Sequence, residues 1–298
     1  MDQSTADTVP PTGSGTTGRR TAFVFQGGGS LSAPQVGMLR ALTEAAISPD
    51  FVIGTSAGAL NAVAFATEPG ASGVQRLEDL WLTLRRRNVA RISVRNLARA
   101  VIGRSDGLLD SRPLIELLQT DFVPPVLSDT AIPAYVVATE LMSGEPIVLS
   151  DGDTTSALLA SSAFPGIFPP VQRGSLRLID GGVGADIPVL QAEALGAEVS
   201  YVLPAAISDE RTPSLRGPLA MAYHALGQIL ESTARRDAKA AQGEVYLLPP
   251  AASSATNPLD FRETRRLIDD GYRLTQQWLA GRPSPVDSDD DSSRAAFA

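Results

Sequence analysis

Two short stretches carry residue types whose spacing can do chemistry. Gly54-Thr55-Ser56-Ala57-Gly58 has the form G-x-S-x-G, and Gln26-Gly27-Gly28-Gly29-Ser30 is a glycine-rich run. A serine between two glycines suits a sharp turn from strand to helix. Glycines let the backbone crowd the hydroxyl at the apex, where it can act as a nucleophile. A helix N-terminus at the same point favours developing negative charge. A small-residue turn packing a helix on a sheet would have the same composition, so Ser56 needs a base before it becomes a site.

Two residues compete for that role. His224 is the only histidine, and the order Ser56, Asp180, His224 is that of α/β-hydrolase triads. It lies within a helical run (Leu219 to Leu226), whereas a triad histidine in such folds follows a strand. Asp180 follows the strand-like Leu176 to Ile179 and precedes Gly181-Gly182. If that strand is parallel to the one before Ser56, the two residues share a sheet edge, and a carboxylate within hydrogen-bond reach can serve as a general base. An Asp-Gly turn is the plain alternative.

The elements that must position these residues alternate between apolar β-type runs and helical ones. Strands are expected at Thr21 to Gln26, Phe51 to Ile53, Ile132 to Leu141, Glu145 to Ser150, Ser175 to Ile179, Val199 to Leu203 and Val245 to Leu248. Helices are expected at Ala33 to Ala46, Ala57 to Ala66, Val74 to Gly103, Arg112 to Thr120, Thr155 to Ser162, Pro188 to Leu195, Leu215 to Ala241 and Arg262 to Leu279. This alternation implies an α/β fold with a mainly parallel sheet covered on both faces. Ser32 and Gln35 fit a capping box for the first helix. The expected organisation is a disordered segment over residues 1–20, a catalytic domain over 21–204, a helical extension over 205–282 on the same domain, and an acidic tail over 283–298.

The glycine run admits two readings. Gly27-x-Gly29-x-x-Ser32 approaches a dinucleotide fingerprint, but the third glycine and the acid after the second strand are missing. Alternatively, the loop shares the carboxyl edge with Ser56 and its amides form an oxyanion hole. The only lysine is Lys239, which excludes a G-K-[ST] phosphate loop.

Composition narrows the classes further. The chain has 298 residues, no cysteine and a net charge of −8. Disulfides are excluded, and one histidine leaves zinc or copper catalysis without its usual ligands. The acidity argues against general nucleic-acid binding. No apolar run spans a bilayer, and the N-terminus lacks the apolar core of a secretion signal, so a cytoplasmic protein is the expectation. Against this background Arg85 to Arg104 holds seven arginines and no acid. On a helix, Arg91, Arg95 and Arg99 form one stripe, a candidate contact with an anionic membrane. The alternative is a surface helix whose arginines pair with acids elsewhere.

Four blocks in order resemble the patatin-like phospholipases. They are Gly27-Gly28-Gly29 with the helix ending Gly37-Met38-Leu39-Arg40-Ala41-Leu42; Gly54-Thr55-Ser56-Ala57-Gly58; Ala160-Ser161-Ser162-Ala163-Phe164-Pro165-Gly166-Ile167-Phe168-Pro169-Pro170-Val171; and Asp180-Gly181-Gly182 with Ile187-Pro188-Val189. The resemblance runs from about Thr21 to Leu203. It implies a three-layer α/β/α fold and a Ser-Asp dyad without histidine, Ser56 as nucleophile and Asp180 as base. It also implies an oxyanion hole at Gly27, Gly28 and Gly29, hydrolysis of lipid acyl esters, and neither cofactor nor metal. One departure stands out: Leu31 and Ser32 occupy positions where the family usually carries a basic residue and glycine. A non-catalytic lipid- or nucleotide-binding protein of the same fold is the reading from another class.

Overall fold

The computed structural model describes residues 18–89, 91–92, 109–119, 122–208, 227–228, 232–234, 236–255 and 257–281. In chain order, β1 (Thr21–Phe25) passes through a 3-10 turn at Gly29–Ser32 into α1 (Pro34–Glu44). Strand β2 (Phe51–Thr55) turns into α2 (Ala57–Thr67), followed by α3 (Ala71–Thr83). Short elements follow: α4 (Arg86–Val89), β3 (Arg91–Ile92), β4 (Leu109–Asp110) and α5 (Arg112–Leu118). Then come β5 (Ala134–Glu140), β6 (Pro146–Leu149), α6 (Thr154–Ser161), β7 (Val171–Arg173) and β8 (Leu176–Asp180). Helices α7 (Gly182–Ala185) and α8 (Val189–Ala194) lead to β9 (Val199–Leu203), β10 (Ile207–Ser208), β11 (Glu244–Leu247), β12 (Ala252–Ser253) and α9 (Thr264–Gly281).

The main sheet runs β11-β9-β1-β2-β5-β8-β7, with β6 also on β5. Its β11, β9, β1, β2 and β5 are parallel. Alternate side chains of these strands feed two apolar layers, as the two-residue period of a strand requires. Phe23, Phe25 and Val52 pack with α1, α2 and α3 on one face. Ala22, Val24, Phe51 and Ile53 pack with Ala185, Ile187, Val189 and Ala192 on the other. Helices on both faces of the sheet make the three-layer α/β/α arrangement. Helix α9 lies along α1, burying Leu267 and Ile268.

The structure departs from three sequence expectations. Strand β8 pairs antiparallel to β5, so Asp180 does not share a parallel carboxyl edge with Ser56. The capping box does not form. Ser32 closes the 3-10 turn, Ala33 stands at the N-cap without a side-chain cap, and the Gln35 amide turns inward to other carbonyls. The long helix expected over Val74 to Gly103 stops at Thr83, where Leu84 turns to extended backbone with its side chain buried. Arg91 therefore lies in a two-residue strand paired with β4, off any helical stripe. Arg95, Arg99 and His224 lie outside the described residues, as does most of the helix expected over Leu215 to Ala241.

Pairing register explains how β8 still brings Asp180 to Ser56. Strand β5 is longer than β2 and pairs with it only through Val137, opposite Thr55. Beyond that point Ala138 and Thr139 pair with β6 and also with β8. A strand residue has only two edges, so β8 occupies the edge of β5 that β2 has vacated. Thr55 lies opposite Val137 and Asp180 opposite Ala138, so the C-terminal ends of β2 and β8 meet head to head.

Candidate active site

Ser56 stands at the junction of β2 and α2 with φ 53° and ψ −126°. A non-glycine residue held there costs about 1–3 kcal/mol, which the surrounding packing must offset. The flanking glycines are required by close approach. A Cβ on Gly54 would stand 2.6 Å from the carbonyl oxygen of Gly58, and one on Gly58 would stand 2.4 Å from that of Gln26. The second contact joins the serine turn to the glycine loop. Gly27 completes the junction, since a Cβ there would lie 3.4 Å from the Ser56 Cβ and 2.8 Å from Asp186 Oδ1.

The Ser56 hydroxyl donates to Asp180 Oδ2 at 2.9 Å. The other carboxylate oxygen accepts the Gly182 N–H at 2.8 Å. Asp180 is 5% exposed. Burial raises its pKa from 3.8 to about 7, the Gly182 and Ser56 hydrogen bonds hold it down, and the charge of Asp186 adds to the rise. Gly181 presses on the Val137 carbonyl so closely that a Cβ would meet its oxygen at 2.1 Å.

The glycine loop is tied at both ends. Gly27 N–H donates to the Asp186 carbonyl at 3.3 Å and Ser30 N–H to the Pro258 carbonyl at 2.7 Å. The preceding Gln26 carbonyl accepts Gln35 Nε2 at 2.8 Å, while the Gln26 amide donates to Asp186 Oδ2. Buried Asn61 donates to Gln35 Oε1 and accepts from Trp81 Nε1, which locks the Gln35 amide. Between the ties, the N–H groups of Gly28 and Gly29 have no hydrogen-bond partner among the described residues. Leu31 packs on the apolar layer beneath α1 and α2, and its carbonyl accepts the Ala206 N–H.

A family model for patatin-like phospholipases matches residues 23–193. That span contains both halves of the site and more than half of the chain.

The chain belongs to the patatin-like phospholipase family.

A Caenorhabditis elegans patatin-like phospholipase domain-containing protein is 30% identical over 199 residues, covering 66% of this chain and 18% of that protein. Lysophospholipase nte1 of Aspergillus terreus is 23% identical over 293 residues, covering 88% of this chain and 18% of that protein. The chain thus spans less than a fifth of these two relatives. In fold it is similar to the crystal structure of VipD from Legionella pneumophila, with a TM-score of 0.50 and 15% identity over 90% of this chain and 68% of that one.

Of the residues singled out in the sequence, Ser56, Asp180, Gly27, Gly54, Gly58, Gly181 and Gly182 come together around one junction; Gly28 and Gly29 continue the loop from Gly27. Arg91 stands apart in β3. The sequence alone assigns no role to Ser161 or Asp186, and gives Gln35 only a capping role, where the structure has it brace the glycine loop. Ser161 lay within a quoted family block and Gln35 within the assumed cap; nothing local marked Asp186.

Proposed function

We propose that the chain is a serine lipid acyl hydrolase of phospholipase A or lysophospholipase type, working through a Ser56–Asp180 dyad. The observation that carries this reading is the direct 2.9 Å bond from the Ser56 hydroxyl to the Asp180 carboxylate. In a Ser-His-Asp triad an imidazole stands between hydroxyl and carboxylate; here the carboxylate is the hydroxyl's own partner. The names of the relatives, phospholipase and lysophospholipase, support a lipid ester as substrate.

In this mechanism Ser56 Oγ attacks the acyl carbonyl carbon and its proton passes to Asp180. The carbonyl oxygen becomes an oxyanion, for which the unpartnered N–H groups of Gly28 and Gly29 are suited donors. Collapse breaks the ester bond, and the departing alkoxide takes the proton from Asp180. Water then attacks the acyl-serine, delivering a proton to Asp180 that returns to Ser56 Oγ as the fatty acid leaves. A carboxylate of ordinary acidity would be a weak base for a hydroxyl. Burial that lifts Asp180 to about 7 strengthens it while leaving it ionised in mildly alkaline solution.

The test is labelling by a fluorophosphonate probe together with fatty acid release from mixed phospholipids. Wild type is expected to label and hydrolyse, Ser56→Ala to do neither, and His224→Asn to retain both. Hydrolysis by Ser56→Ala at the wild-type rate would end the proposal.

A further inference from the structure

The two strands that present Ser56 and Asp180 do not pair with each other. They end against one another along β5, so no ladder of backbone bonds fixes their separation. Something else must span the gap, and Ser161 at the C-terminal end of α6 touches both sides of it. Its Oγ accepts the Ser56 N–H at 2.8 Å and donates to the Val137 carbonyl at 2.5 Å. Its own carbonyl accepts the Gly181 N–H at 3.3 Å, and two residues on, the Ala163 carbonyl accepts the Asp180 N–H at 3.0 Å. Val137 is the β5 residue opposite Thr55, at the last rung before β8 takes over the edge.

A hydroxyl is suited to this place because it accepts and donates at once. Alanine would leave the Ser56 N–H and the Val137 carbonyl without their partner in a site where Ser161 is fully buried. The Ser56 N–H matters most, since it helps hold the backbone at φ 53°. Rotation about the Ser56 N–Cα bond would swing Oγ relative to a carboxylate pinned by Gly182.

We propose that Ser161 is the positioning residue of the dyad, setting the reach between the Ser56 hydroxyl and the Asp180 carboxylate by binding the backbone on both sides. The inference rests on the proposed dyad. It goes beyond it by assigning the geometry to a residue that touches neither substrate nor transferred proton.

The experiment measures hydrolysis of a chromogenic short-chain ester by the full chain, with active sites counted by exhaustive fluorophosphonate labelling. Ser161→Ala is expected to lower kcat per labelled site by about 10–100-fold, the scale on which a displacement of about an ångström acts, with KM within about threefold. Ser161→Cys keeps a weaker donor and acceptor and is expected to fall between. A merely structural role would reduce the number of labelled sites and leave kcat per site unchanged. Should Ser161→Ala not yield folded protein, Ser161→Cys decides on the same criterion. A kcat per site within twofold of wild type, with Ser56→Ala inactive, overturns this inference alone. Full activity of Ser56→Ala overturns the dyad and the inference with it.

Discussion

The two halves of the site are built on opposite principles. The Ser56 half is local: β2, a turn between close-approach glycines, and α2 occupy one continuous stretch. Its partner, the glycine loop, repeats the strand–turn–helix plan on the neighbouring parallel strand. The Asp180 half is assembled from a distance. Strand β8 reverses direction, borrows the edge left free by β2, and is held by α6 and by the N–H of Gly182. Local packing thus makes the proposed nucleophile's turn rigid, while long-range pairing makes the proposed base buried and basic.

The comparison breaks most sharply at Asp180. Asp180→Asn keeps the shape and removes the proton acceptor, so kcat is expected to fall by about 10³-fold or more while the protein stays folded. Near-normal turnover by this variant would show that the distant half is scaffold only.

Next in size is the local half. In Gly58→Ala the new methyl would stand 2.4 Å from the Gln26 carbonyl oxygen and 2.7 Å from that of Phe25, both backbone atoms that cannot move alone. A loss of about 2–4 kcal/mol in stability is expected, read from urea unfolding. An unchanged midpoint would mean that the two turns are not packed as one unit.

The buried carboxyl also makes a pH prediction. Because its folded pKa lies near 7 against an ordinary 3.8, the stability due to the neutral form is fully present below about 3.8. It is lost as pH rises to about 7. Asp180→Asn lacks this loss, so its melting temperature relative to wild type should climb between pH 4 and 7 and level off above. Hydrolysis by wild type should rise over the upper part of the same window, as the carboxylate forms. The smallest effect belongs to Asp186, whose charge pushes Asp180 upward. Asp186→Asn should move the midpoint of the pH–rate profile down by less than about one pH unit; an upward shift would contradict it.

Much of this organisation was legible in the chain. The alternation of apolar runs gave the parallel core and its two covering layers, because a strand buried on both faces must be apolar throughout. Ser56 stood out because the glycines on either side of it are demanded by contacts within a few residues or on the next strand. The direction of β8 was not legible. Leu176 to Asp180 is a five-residue strand whose composition fits either orientation, and only the length mismatch between β2 and β5 decides where it pairs. Gln35 was misread for a related reason: a side chain that can cap its own helix found stronger buried partners in the Gln26 and Leu203 carbonyls.

By itself, then, the sequence determined the main parallel strands with their flanking helices and the sharp serine turn, because those depend on residue period and on which positions lack a Cβ. The tertiary structure alone decided that Ser56 and Asp180 lie 2.9 Å apart, that Ser161 stands across the gap between their strands, and that Asp186 shares their surroundings. These follow from which strand fills a vacated edge and from burial. Neither is a property of any stretch of chain taken alone.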